Sequence, residues 1–122
     1  MKNEYQQRVF DTKELVNQIG LMNVLAISGG RVHSVVNDQG ETVEVQLPVG
    51  HGYRVAITLG FMDTWIVRRE FVRKGVVKVK GVVEDVYFTE VGEVAYKASC
   101  YVNVPFGEDV KAGLKNQYHG EN

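Results

Sequence analysis

A tryptophan and an arginine four positions apart form a pair that could bind a planar anion. Trp65 and Arg69 lie in Thr64–Lys80, which reads TWIVRREFVRKGVVKVK. Both fall on the apolar side of a predicted strand, where a charged group needs a partner or water. One interpretation is that Arg69 lies at a sheet edge or pairs with Glu84 or Asp85. The sharper interpretation is that Trp65 and Arg69 line a pocket for an anionic, planar ligand.

Two glycine-rich segments add candidates for the same chemistry. In Gly29-Gly30-Arg31, successive glycines could turn several N–H groups toward an anion, and the arginine would add charge. The competing interpretation is a helix stop, which is a common role of glycine. His51 lies between Gly50 and Gly52, which allow a close approach by a partner or simply form a tight connection. The ligand-binding candidates are therefore Gly29, Gly30, Arg31, His51, Trp65 and Arg69.

The residue types that carry most enzyme chemistry lack the spacing that catalysis requires. The histidines and the single cysteine, Cys100, belong to different predicted elements and have no metal-ligand spacing. The GxSxG, Walker and GxGxxG motifs are absent. Glu84 and Asp85 are adjacent on a predicted strand, so they point to opposite faces and make a poor carboxylate pair. We therefore expect no catalytic residue, no metal, no cofactor and no enzymatic activity.

The segment that carries Trp65 and Arg69 is predicted to be a β-hairpin, because β-branched and aromatic residues flank a glycine turn. The favoured loop has three residues, Arg73-Lys74-Gly75, with the glycine in the left-handed conformation. This register places Glu70 opposite Lys78 and keeps the apolar side chains on one face. A two-residue turn would shift the register by one residue and scatter the apolar face, so it is the less favoured alternative.

Further strands are predicted on both sides of this hairpin. Arg31–Leu47 forms a second hairpin with a similar loop at Asp38-Gln39-Gly40, and it places His33 on the apolar face as a hydrogen-bonded core histidine. Tyr53–Leu59 alternates between apolar and polar residues, which is typical of a half-buried strand. Val82–Phe88 is another predicted strand, with a bend at its start as it leaves the central hairpin.

Helical periodicity before and after these strands predicts an α+β fold. Asp11 is the expected N-cap of a helix that begins near Thr12, and Gly20 leaves open whether that helix is broken. Glu90–Tyr101 again shows helical spacing and predicts a short amphipathic helix. Between these helices we expect an antiparallel sheet of about five strands. The predicted organisation is a polar arm over 1–10, a single α+β domain over 11–107 and a polar tail over 108–122.

Charge and composition restrict the class of protein. The 122 residues fit one domain, and a net charge of −1 gives no support to whole-chain binding of nucleic acid. Charge is nevertheless uneven, since Thr64–Gly81 has six basic residues and one acid, whereas Val82–Glu93 has four acids and no base. Mutual neutralisation is the favoured interpretation and a basic binding face is the alternative. The absence of a membrane-length apolar stretch, a signal-peptide core or a second cysteine predicts a cytoplasmic protein.

Four blocks of the sequence resemble a group of small uncharacterised proteins encoded by bacteriophages and prophages. These blocks are NVLAISGGRV, LPVGHGYRVAITL, DTWIVRREFVR and GEVAYKASCYVNVPFG, and they lie within Met22–Gly107. The resemblance implies an accessory protein that is made during infection in the cytoplasm of the bacterial host. It also implies that the protein binds and neutralises a host factor or a defence signalling molecule.

The sequence therefore favours a non-catalytic protein that sequesters or inhibits a host factor. Its ligand would be a small anionic, nucleotide-like defence signal or a host protein, and we expect a homo-oligomer. One alternative is nucleic-acid binding by the hairpin 64–80, with Arg68, Lys78 and Lys80 on phosphate groups. The other is a structural role in which edge strands pair between subunits.

Overall fold

The computed structural model describes residues 4–107 and has the predicted α+β architecture. Two helices precede an antiparallel sheet in the chain, and a third helix follows it. The helices are α1 (Thr12–Ile19), α2 (Leu21–Ser28) and α3 (Val91–Ser99). The strands are β1 (His33–Val36), β2 (Thr42–Gly50), β3 (Tyr53–Leu59), β4 (Trp65–Arg73) and β5 (Val76–Val86). The sheet has five strands in the order β1-β2-β3-β4-β5, so each strand pairs with its neighbour in the chain. The predicted tail over 108–122 lies outside the described residues.

The N-terminal helical segment is broken into α1 and α2 by Gly20. Its φ of 94° is a conformation that glycine adopts without a Cβ clash. α1 begins as predicted, because the Asp11 side chain accepts a hydrogen bond from the Lys13 N–H at 3.0 Å. α2 ends at Gly29, which is left-handed with a φ of 66°. The predicted start at Asp11 is therefore confirmed, the stop signal at Gly29 is confirmed, and the question that the sequence left open at Gly20 is answered by a break.

The hairpin between β4 and β5 closes with a two-residue turn, so the favoured three-residue loop is wrong. Lys74 and Gly75 have φ values of 53° and 79°. Two consecutive positive φ angles are typical of a type I′ turn, whose twist matches that of the flanking strands. As a result Phe71, and not Glu70, faces Lys78. The two-residue turn thus forms because its twist suits the strands, although the apolar pattern favoured the three-residue loop.

A β-bulge at Lys80 corrects the register within the body of the sheet. The pairing shifts between Glu70 and Arg69, so that Arg69 faces Gly81. A Cβ atom on Gly81 would lie 2.0 Å from the carbonyl oxygen of Phe106, so only glycine fits there. The bulge restores the apolar face that the short turn alone would scatter.

A second register shift changes the face on which His33 lies. The predicted loop is present, since the Asn37 N–H donates to the Glu41 carbonyl at 2.9 Å. A bulge beyond it then pairs His33 with Gln46 in place of Val45. His33 is consequently exposed on the polar side of the sheet, and its predicted place on the apolar face is wrong.

The two faces of the sheet are covered differently. One face packs against the three helices and holds the main apolar core. This core consists of Leu15, Ile19, Val24, Ile27, Val45, Leu47, Val55, Ile57, Trp65, Val67, Val86, Val91, Ala95, Ala98 and Phe106. Residues 4–10, called the arm, lie on the opposite face, called the outer face below, at Tyr5 and Gln6, and reach the main core at Phe10. Of the helices in residues 4–107, none combines the length and the apolar character that a membrane crossing requires.

Candidate functional site

Trp65 belongs to the core on the helix-covered face. Its side chain is 6% exposed, and its indole N–H donates to the Gln18 side-chain oxygen at 2.8 Å. The ring of Phe10 meets it edge-on, with 5.0 Å between the centroids. The polar atom of Trp65 is therefore already used within the fold, as expected for a buried indole.

Arg69 lies beside the same core and serves the C-terminal end of α3. It is 3% exposed, and its Nε donates to the Ala98 carbonyl at 2.8 Å. Its Nη2 donates to the carbonyls of Lys97, Cys100 and Val104 at 3.1, 3.3 and 2.5 Å. The last carbonyls of a helix lack intrahelical partners and attract a cation. The two acidic partners predicted for Arg69 make no contact with it, and an anionic ligand would have to displace these bonds.

Gly29 and Gly30 form the predicted helix stop, the interpretation that competed with an anion-binding nest. The N–H of Gly29 donates to the Leu25 carbonyl at 2.9 Å, and the N–H of Gly30 donates to the Val24 carbonyl at 3.3 Å. This pattern satisfies carbonyl groups at the end of α2. Both N–H groups are consequently engaged and do not face an anion.

Arg31 lines a cleft on the outer face, called the outer-face cleft below. Arg31 precedes β1, and His33 and Gln46 form a directly opposed pair on the neighbouring strands. The cleft has a volume of about 390 Å³. It is lined by Arg31, His33, Gln46, Pro48, Gly50, Gly52, Tyr53, Arg54 and Val72. Three of these side chains are of basic types and none is acidic, and one of them, Arg54, is ion-paired with the Glu70 carboxylate.

Beneath the arm, a cluster of buried charges extends across the outer face. Arg68 is fully buried, and it donates to Glu70 at 2.8 Å and to Glu44 at 2.5 Å. The ring of Tyr5 covers the guanidinium at 4.3 Å, which is a cation–π distance. Arg68 was a candidate phosphate contact in the nucleic-acid hypothesis, but its burial removes it from any exposed basic face.

The buried charges are bonded to two residues of the outer-face cleft. The Arg54 Nε donates to the Glu70 carboxylate at 2.8 Å. The Gln46 side-chain N–H donates to the Glu44 carboxylate at 2.6 Å. Arg54, Arg68, Glu44 and Glu70 therefore form one outer-face ion cluster that orients cleft residues from below, as supporting hydrogen bonds do in binding sites.

Two residues of the arm, Tyr5 and Gln6, cover the ion cluster. The Gln6 side chain donates to the Glu44 carboxylate at 3.1 Å, and Gln6 is itself buried. The ring of Tyr5 loses part of its contact with water in this position. Burial raises the pKa of the Tyr5 hydroxyl, and the negative charge of Glu4 raises it further. Within the predicted polar arm over residues 1–10, Tyr5 and Gln6 thus pack on the outer face, whereas Glu4, Gln7 and Val9 are exposed.

His51 occupies the turn between β2 and β3, next to the outer-face cleft. It is exposed with a φ of 54°, and its Nδ1 lies 2.8 Å from the Tyr101 hydroxyl in a hydrogen bond. Tyr101 stacks on Tyr53 with 4.0 Å between the ring centroids. The flanking Gly50 and Gly52 line the cleft, whereas the His51 ring is bonded to Tyr101.

The six sequence candidates are therefore distributed over four places. Arg31 lines the outer-face cleft, and His51 lies in the turn beside the cleft, bonded to Tyr101. Gly29 and Gly30 cap α2, and Trp65 and Arg69 lie in the core. Within residues 4–107, His, Cys, Asp and Glu side chains do not gather in the groups of three or more that a metal site needs. Comparisons with family models, curated proteins and solved structures gave no match.

Proposed function

We propose that this protein is a non-catalytic binding protein that holds a small anionic, nucleotide-like ligand in the outer-face cleft. The observation that carries the proposal is the convergence of Arg31, His33 and Arg54 on a cleft whose lining contains no carboxylate. Guanidinium groups present N–H donors in a fork that matches phosphate geometry. A phosphate group would therefore bind between Arg31 and Arg54.

The size and lining of the outer-face cleft support this class of ligand. Its volume of about 390 Å³ falls within the range of small-molecule sites. Pro48 and Val72 contribute apolar surface on which the planar part of a nucleotide would lie. Arg54 is held by Glu70, so it loses little side-chain freedom when a ligand binds.

The biological role that we propose is sequestration of a host signalling molecule in the bacterial cytoplasm. This follows the phage-type accessory role that the sequence resemblance implies. A host protein is the alternative partner, with the basic residues of the cleft in contact with an acidic surface. We also propose that the protein is a homo-oligomer.

The experiment is a calorimetric titration of the full chain with adenosine monophosphate. Arg31→Ala should weaken binding about tenfold, because a hydrogen bond to a charged group contributes about 1.5–3 kcal/mol. Arg73→Ala is the matched control, since it removes an exposed arginine that does not line the cleft. Inorganic phosphate, titrated in parallel, separates recognition of the phosphate from recognition of the whole nucleotide.

Two results would reject this function. The first is the absence of any binding of adenosine monophosphate or phosphate by the unaltered protein at millimolar concentration, checked by equilibrium dialysis. The second is an equal loss of affinity in Arg31→Ala and Arg73→Ala, which would indicate a general effect of charge and not a site.

A further inference from the structure

The two ends of the sheet carry opposite charges, although the net charge of the chain is −1. At one end the β4–β5 turn projects, and residues 73–80, called the tip below, are all exposed. The tip carries four cations, Arg73, Lys74, Lys78 and Lys80. Within residues 4–107 none of these four cations has an ion-pair partner.

The tip is also apolar. The exposed fractions of Val76, Val77 and Val79 are 59%, 44% and 42%. Exposed β-branched side chains beside an unpaired strand edge are an interaction surface or an aggregation hazard. The tip therefore combines positive charge with an apolar surface.

The other end of the sheet has the complementary chemistry. The β3–β4 loop exposes Phe61 by 88% and Met62 by 77%. These side chains border a groove with a volume of about 450 Å³, called the acidic groove below. Its lining consists of Glu4, Tyr5, Gly60, Phe61, Met62, Thr64, Ile66, Glu84 and Asp85, which includes three carboxylates and no base.

The loop beside the acidic groove is held in place by hydrogen bonds. The Gly60 N–H donates to the Thr64 carbonyl at 2.7 Å, and Arg8 donates to the Gly60 carbonyl at 2.6 Å. Arg8 also pairs with Asp63 at 2.7 Å. These bonds hold the loop in place while most of the Phe61 side chain is in contact with water.

We propose that the tip of one copy docks in the acidic groove of a second copy, so that copies join head to tail. The cations of the tip would meet Glu4, Glu84 and Asp85, and the tip valines would cover Phe61 and Met62. Because the contact joins two different surfaces, it closes a ring or a reciprocal pair, or it continues as a chain. This inference is independent of the proposed ligand, since neither surface is the outer-face cleft.

The test uses two charge-reversal variants and sedimentation velocity at low salt. The tip variant is Arg73→Glu/Lys78→Glu, and the groove variant is Glu4→Lys/Glu84→Lys. Each variant alone should associate at least about tenfold more weakly than the unaltered protein, since like charges then face each other. An equimolar mixture should associate again, because the basic tip of the groove variant fits the acidic groove of the tip variant.

Lys13→Glu, on the exposed side of α1, is the control for a change of charge outside both surfaces. It should associate as the unaltered protein does, and salt should weaken association in both. The proposal is overturned if the unaltered protein sediments as a single copy at every concentration. It is also overturned if the two variants associate normally, or if their mixture fails to recover association.

Discussion

Arg68 and Arg69 are neighbours in β4 and are both almost fully buried, yet the fold satisfies their charges in different ways. Arg68 points to the outer face and is paired with the carboxylates of Glu44 and Glu70. Arg69 points to the helix-covered face and donates to main-chain carbonyls at the end of α3. Among the contacts within residues 4–107, Arg68 is thus stabilised by opposite charges, and Arg69 by the carbonyl dipoles of a helix end.

The partners of Arg68 support the cleft, whereas the partners of Arg69 support the packing of α3. The carboxylates around Arg68 also bond Arg54 and Gln46, which line the outer-face cleft. The carbonyls around Arg69 belong to α3 and to the residues after it, on the face that has the apolar core. Changes at the two arginines should therefore differ in size and in where their effects appear.

The largest effect is expected for Arg68→Met, which removes the cation shared by two buried carboxylates. The free energy of unfolding should fall by about 3–5 kcal/mol, as measured by denaturant unfolding, because uncompensated charges remain buried. Adding Glu44→Gln should recover part of the loss, since one orphaned charge is then removed. A loss below about 1 kcal/mol would show that water reaches these carboxylates freely and that the cluster is not sealed.

A smaller effect is expected for Arg69→Met, about 2–3 kcal/mol, because the partners that it leaves behind at the end of α3 are neutral main-chain carbonyls. Cys100 and Val104 are only half-buried, so water can replace part of the lost bonding there. Hydrogen exchange should show faster exchange confined to α3 and residues 100–106. If Arg69→Met destabilises as much as Arg68→Met, with exchange raised across the whole sheet, the two modes of neutralisation do not differ in the way proposed.

The smallest effect is expected for Tyr5→Phe, and it depends on pH only in the alkaline range. The folded protein raises the pKa of Tyr5 above its ordinary value of 10.0, so the folded state binds the proton more tightly than the unfolded chain does. The resulting stability is complete below pH 10 and declines as the pH rises through the raised value. The difference between the unfolding free energies of Tyr5→Phe and of the unaltered protein should therefore shrink or change sign above pH 10. A difference that is constant from pH 7 to pH 11 would contradict the burial of Tyr5 against Arg68.

Local signals in the sequence account for most of the fold. Asp11 and Gly29 act through the backbone of their own turn, so their effects are predictable without tertiary information, whereas the sequence leaves open whether Gly20 breaks the helix. The register of the two hairpins was not predictable from these local signals, since each hairpin has a bulge beyond its turn. At Gly81 the Phe106 backbone approaches so closely that only glycine fits, and this contact joins residues that are distant in sequence.

The outer-face cleft was predictable only in part. Arg31 was identified from its sequence, whereas His33 was assigned to the wrong face because of the bulge in its hairpin. Arg54 lies at a polar position of the predicted strand Tyr53–Leu59 and was not among the six candidates. A usable signal was present, since the predicted polar positions of neighbouring strands include Glu44, Arg54, Arg68 and Glu70. Opposite charges on adjacent strands favour cross-strand pairs, and these four residues form the ion cluster.

The most direct test of anion binding is an NMR titration of the isotope-labelled protein with adenosine monophosphate. The outer-face cleft predicts that amide shifts concentrate at residues 31–33, 46–48 and 52–54, with Arg54 among the largest. The same shifts should weaken in Arg31→Ala and persist in Arg73→Ala. Shifts confined to the acidic groove around Phe61, or no shift at millimolar ligand, would contradict an anion site in the cleft.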